Sequence, residues 1–152
     1  MRIEEIDMED IEDCKINFDE RGRDLILCCK DKNGKDVNVN CEYPTNIMVA
    51  IFGELHNAEN QIKLSKYIQS QKELPECLMT IYNKLPNDLG KTMIMFYSEN
   101  NTIREISNKL NITPNKVIEH LALALRKMRN PIYAKYLYKF MPQIDDLDDL
   151  KI

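Results

Sequence analysis

Tryptophan is absent from the chain, and so is any apolar run of membrane-spanning length. The longest run, Ile47-Met-Val-Ala-Ile-Phe52, suits a helix core, whereas a bilayer span needs about 20 apolar residues. Also missing are the basic start and apolar stretch of a secretory signal, since the first residues, MRIEEIDMEDIED, are acidic. A cytoplasmic location with no membrane partner is therefore expected. Among the cysteines, Cys14, Cys28, Cys29, Cys41 and Cys77, no two form a CxxC pair, which argues against both a disulfide framework and the usual zinc site. They are read as reduced thiols filling apolar positions. A metal gathered by Cys14, Cys28 or Cys29, and Cys41 on neighbouring strands is the lesser alternative, because the ligand spacing is missing. No Rossmann, P-loop or hydrolase signature occurs. Both histidines, His56 and His120, lack a nucleophile or metal partner nearby in sequence, so no catalytic residue, cofactor or metal is expected.

What is present is a chain of 152 residues, 43% hydrophobic and 30% charged, a balance that suits folded rather than disordered protein. Its net charge of −4 conceals a division along the sequence. Residues 1–84 hold 11 Lys/Arg against 17 Asp/Glu, residues 85–140 hold 9 against 4, and the closing MPQIDDLDDLKI holds 1 against 4. Only the middle segment has the sign that a phosphate backbone attracts.

The acidic stretch Ile3–Asp13, with Ile3, Ile6, Met8 and Ile11, is compatible with a short helix or an ordered arm. From Cys14 the pattern turns to strands, CKINF, DLILCCK and VNVNCEY, the last alternating Val37, Val39, Cys41 and Tyr43 with polar residues. Asn33-Gly34 signals a tight turn between the last two strands, and Arg21-Gly22-Arg23 suits the turn before them. Pro44 ends this meander, and Thr45 is placed to cap a helix bearing Ile47, Met48, Ile51, Phe52 and Leu55. A second helix is expected from about Ala58 to Gln69, followed by a linker at Ser70–Leu74 and a helix carrying Cys77, Leu78, Ile81 and Tyr82. The expected fold class is α+β. Residues 1–72 form an acidic module with a small antiparallel meander and two helices, residues 75–140 an all-helical helix-turn-helix module, and residues 141–152 an acidic tail.

The second module carries the functional signal. A helix-turn-helix needs an apolar stripe on each helix, a short turn, and a recognition helix with a free outward face. Leu89, Met93, Ile94 and Phe96 or Tyr97 make the first stripe, which stops in Ser98-Glu-Asn-Asn101. Thr102 and Glu105 have capping-box spacing ahead of Ile103, Ile106 and Leu110. Asn111 suits a turn residue of positive φ, Ile112 plugs the corner, Thr113 caps the next helix and Pro114 takes its first position. Val117, Leu121, Ala124 or Leu125, and Met128 form that helix's buried stripe. The same signals also describe an ordinary three-helix bundle.

The run LPNDLGKTMIMFYSENNTIREISNKLNITPNKVIEHLALALRKMRNP resembles region 4 of the primary sigma factor family of RNA polymerase. Leu85-Pro86 opens it, Thr102-Ile-Arg-Glu-Ile106 matches the family's Thr-Leu-x-Glu-Ile, and Leu110-Asn-Ile-Thr113 matches the turn. Ala124-Leu-Arg-Lys-Met-Arg-Asn-Pro131 is similar to the family's closing Ala-Leu-x-Lys-Leu-Arg-His-Pro. A LuxR-type module is a close cousin, since Val117 and His120 fit its Val-Lys-x-His pattern.

The resemblance implies a transcription regulator or sigma-like accessory factor whose partners are double-stranded promoter DNA, RNA polymerase or a sigma factor. DNA-facing candidates are Arg104, Asn115, Lys116, Glu119, Arg126, Lys127 and Arg129, with the cations on phosphates and Asn115 and Glu119 on bases. Where the family usually has Arg-Glu-Arg and then Arg-Gln, this chain has Pro114, Asn115 and Lys116, then Ile118 and Glu119, so reading of the usual promoter element is not implied. Ile118 and Leu123 are candidates for a protein interface. His120 is read as a packed or solvated side chain rather than a switch. The promoter-melting helix of the family has no counterpart in residues 1–84, which contain no tryptophan. The rival reading is a protein-interaction module, of anti-sigma or co-activator type, that binds polymerase or a sigma factor without specific DNA binding.

Overall fold

The computed structural model describes residues 11–18, 25–53 and 58–141. Strands β1 (Ile11–Phe18), β2 (Leu25–Asp31) and β3 (Asp36–Cys41) form an antiparallel sheet in the order β1-β2-β3. Seven α-helices follow among the described residues: α1 (Thr45–Phe52), α2 (Ala58–Ser70), α3 (Leu74–Lys84), α4 (Leu89–Met93), α5 (Ile103–Leu110), α6 (Pro114–Met128) and α7 (Pro131–Ala134). The fold is thus α+β and mostly helical, and no helix among the described residues is long and apolar enough to cross a membrane.

The β2–β3 hairpin turns where Asn33-Gly34 was expected to turn it. Gly34 has φ 78° and donates to the Asp31 carbonyl at 3.0 Å, while the Asp31 carboxylate accepts from the Asn33 and Lys35 amides, both at 2.9 Å. Period-two alternation holds in β3, with Val39 buried and Asn38 and Asn40 exposed. Strand β1 begins at Ile11, with Ile11 opposite Asp31, Asp13 opposite Lys30 and a register irregularity between them. The preceding acidic residues and the Arg21–Arg23 turn lie outside the described residues.

One cysteine departs from the reduced-thiol expectation, since Cys29 is disulfide-bonded. The register sets Cys14 of β1 opposite it. Cys28 and Cys77 are free thiols.

Helix α1 is buried almost all round, with Thr45, Asn46, Ile47, Met48, Val49 and Ile51 inside. Thr45 does not cap it as expected. The N-cap position is Pro44, and the Thr45 hydroxyl donates instead to Gln69 Oε1 of α2 at 2.9 Å, because a fully enclosed hydroxyl needs a fixed partner. Gln61 and Ser65 are likewise enclosed on α2 and satisfy each other at 3.1 Å. Ile47, Met48, Ile51, Leu64 and Ile68 from α1 and α2 share one apolar cluster with Leu74, Leu78, Ile81, Met93, Ile106, Val117 and Met128. The core is therefore continuous across residues 72–75, where the sequence suggested a division. Helix α7 and a 3-10 turn, Tyr138–Phe140, close the cluster with Leu137 and Phe140.

Candidate nucleic-acid interface

Local chemistry fixes both ends of α5. Thr102 Oγ1 accepts from the Glu105 amide at 3.1 Å and Glu105 Oε1 accepts from the Thr102 amide at 3.1 Å, completing the expected capping box. At the other end Asn111 is left-handed, φ 55°, and its amide donates to the Ser107 carbonyl. The Ser107 hydroxyl donates to the Ile112 carbonyl, so the corner is closed by side chain as well as backbone. Thr113 Oγ1 then accepts from the Lys116 amide at 3.2 Å, with Pro114 in the first turn. Three residues, Asn111–Thr113, thus join α5 to α6.

Helix α4 continues into a π-helical turn, Ile94–Ser98, which carries Phe96 and Tyr97 inward before the chain leaves at Glu99. Val117, Leu121, Ala124 and Met128 bury one stripe of α6 against this helix and α5. Half-buried His120 is packed on α4, its Nδ1 3.3 Å from Thr92 Oγ1. That hydroxyl already donates to the Asp88 carbonyl at 2.8 Å and has one proton, so Nδ1 of His120 is the donor in the contact.

The expected site residues fall into three groups. Asn115, Glu119 and Arg126 are exposed and recur with Ala122 at helical spacing along the side of α6 opposite the stripe. Lys116 and Lys127 flank that row, Lys127 half-buried, and Arg104 is exposed on α5. Arg129 is exposed but engaged, since its Nη2 donates to the Ala50 carbonyl at 2.7 Å and ties the end of α6 to α1. Lys116 and Glu119 form an ion pair at 3.4 Å, both well exposed. Such a pair is worth about 0–1 kcal/mol, so an incoming phosphate can take Lys116 from it. Ile118 and Leu123 are 51% and 38% exposed and lie on opposite flanks of the row.

Of two supporting residues, Gly90 had no sequence signal and Tyr82 was legible only as an apolar position of its helix. Gly90 sits where α4 passes the end of α3, and a Cβ there would lie 1.9 Å from the Tyr82 carbonyl oxygen. Tyr82 is 1% exposed, its hydroxyl enclosed beside that of Tyr43 without a well-formed hydrogen bond. Burial pushes the Tyr82 phenol well above its ordinary value, with Tyr43 and Tyr97 adding to the shift. Burial also raises Tyr43. Between the end of β3 and the π-helical turn lies a cleft of about 320 Å³ lined by Glu42, Tyr43, Tyr97, Ser98 and Asn100. Comparison with protein-family models, curated proteins and solved structures finds no match to this chain.

Proposed function

We propose that the chain is a DNA-binding transcription regulator or sigma-like accessory factor, in which α5, Asn111–Thr113 and α6 act as a helix-turn-helix. One observation carries the reading: α6 is gripped along a single stripe, while the opposite row, Asn115, Glu119, Ala122 and Arg126, is exposed from the first turn to the last. Its width and polarity suit a major groove, where Asn115 can pair with adenine and Glu119 can accept from a cytosine amino group. Arg104, Lys116, Arg126 and Lys127 supply phosphate contacts that set the register.

The test is fluorescence anisotropy with promoter-derived duplexes over a range of salt concentrations. Each phosphate neutralised contributes a slope of about −0.9 in log K against log salt. Replacing Arg126 by alanine lowers the slope by about one, and a lost contact of about 1.4 kcal/mol weakens binding roughly tenfold. No salt-sensitive binding to any such duplex would overturn the proposal.

A second reading rests on Ile118 and Leu123, whose exposed apolar side chains suit a protein surface better than a phosphate backbone. In that reading the same face of α6 engages RNA polymerase or a sigma factor. Capture of core polymerase that survives Lys116→Ala and Arg126→Ala together, but not Ile118→Asp, favours it.

A further inference from the structure

The cleft between the end of β3 and the π-helical turn has two walls of tied backbone. On one side Glu42 and Tyr43 follow β3, and the Glu42 carbonyl accepts from the Asn46 amide at 3.2 Å as the chain enters α1. On the other, Ser98 ends the π-helical turn. There the Glu99 amide donates to the Ile94 carbonyl at 2.9 Å and the Asn101 amide to the Met95 carbonyl at 2.8 Å, with Asn100 between them in the left-handed region at φ 60°. Tyr97 is 6% exposed and its ring meets that of Phe96 edge-on, the centres 5.0 Å apart, so it is the fixed, deepest member of a lining whose Glu42, Ser98 and Asn100 are exposed.

The lining limits what the cleft can hold. It offers one carboxylate, two phenols, a hydroxyl and a primary amide, and no lysine, arginine or histidine is among the described residues that line it. Glu42 meets no cation within ion-pair distance among the described residues. Its carboxylate repels an anion, and an apolar molecule would strip water from polar groups without replacing their hydrogen bonds. Nor do three His, Cys, Asp or Glu side chains gather as a metal site among the described residues. An organic cation suits this set, because its N–H groups can donate to the carboxylate and to the hydroxyl oxygens while its charge is drawn to electron-rich tyrosine rings. The volume of about 320 Å³ lies at the small end of the range for small-molecule sites.

We propose that this cleft binds a small organic cation, an alkylamine or alkylguanidine, with the Glu42 carboxylate as counter-ion and Tyr43 and Tyr97 as its aromatic surround. A ligand held there bridges the end of β3 and the segment that leads into α5, whether or not α6 reads DNA.

Amide NMR titration of the full chain tests this without reference to DNA. The probes are butylguanidine and butylamine, with butyrate and n-butanol as anionic and neutral molecules of similar length. At least one of the two cations should give saturable shifts at Glu42, Tyr43, Ser98 and Asn100, while butyrate and n-butanol leave these amides in place. Glu42→Gln should weaken that binding about tenfold, the effect of losing one charge-assisted contact. Glu76→Gln removes the same charge from an exposed position on α3 and should leave the affinity unchanged, and the spectrum of each variant shows that the fold is kept. No saturable shift at these residues with either cation, equal weakening by both substitutions, or butyrate or n-butanol moving the same amides as strongly would each overturn the proposal.

Discussion

Tyr82 shows how a single residue can work against its own surroundings. Its ring fills the junction of α3 with the core, yet its hydroxyl is enclosed without a sound hydrogen bond. Removing an unsatisfied hydroxyl while keeping the ring should therefore change stability by less than about 1 kcal/mol at neutral pH, and in the stabilising direction. Its raised phenol gives a second signature. The folded state favours the protonated form, so the contribution is whole below the unfolded value near 10.0 and is lost as pH climbs toward the folded value. Tyr82→Phe should thus move the alkaline limb of urea-unfolding curves to higher pH, and an unmoved limb would assign that limb to other groups. Gly90 is the opposite case. In an ordinary helix Gly→Ala gains up to about 1 kcal/mol, but here the added methyl would strike the backbone of Tyr82. Gly90→Ala should lose roughly 1–3 kcal/mol in urea unfolding as α4 is forced off α3.

At the scale of elements, the α5–α6 corner is where sequence chemistry and geometry agree most closely. Thr102, Glu105, Asn111, Thr113 and Pro114 all do locally what their side chains favour, and the apolar stripe of α6 follows the helical period. Asn111→Ala should cost about 1 kcal/mol, since a Cβ without a compensating polar side chain is disfavoured in the left-handed region, whereas Asn111→Gly should be close to neutral. Equal losses from both changes would show that the asparagine side chain, and not its φ, holds the corner. The sheet was legible for a similar reason, because the Asn33-Gly34 turn and the alternation of Val37 and Val39 are local. The cysteines were not. No spacing along the chain marks Cys29 for a disulfide, and only the β1–β2 register brings another cysteine opposite it.

Over the whole molecule, the continuous cluster from Ile47 to Phe140 and the Arg129–Ala50 hydrogen bond join α1 and α2 to the C-terminal helices. A shared core should unfold as one cooperative unit, so far-UV and near-UV signals in a thermal or urea titration should give coincident transitions. Two separated transitions would mean that the early helices and α3–α7 are energetically independent.

By itself the sequence determined the elements whose causes are local: the hairpin turn, the caps of α5 and α6, the buried stripe of α6, and the concentration of positive charge after Leu85. Tertiary structure alone decided what depends on residues distant in the chain. It turned Thr45 from a cap into a tie between α1 and α2, diverted Arg129 onto α1, made Gly90 a point of close approach, and left Tyr82 enclosed. Side-chain preference and helical period act over a few residues and can be read in order, whereas a burial or a long-range hydrogen bond exists only once packing has chosen the neighbour.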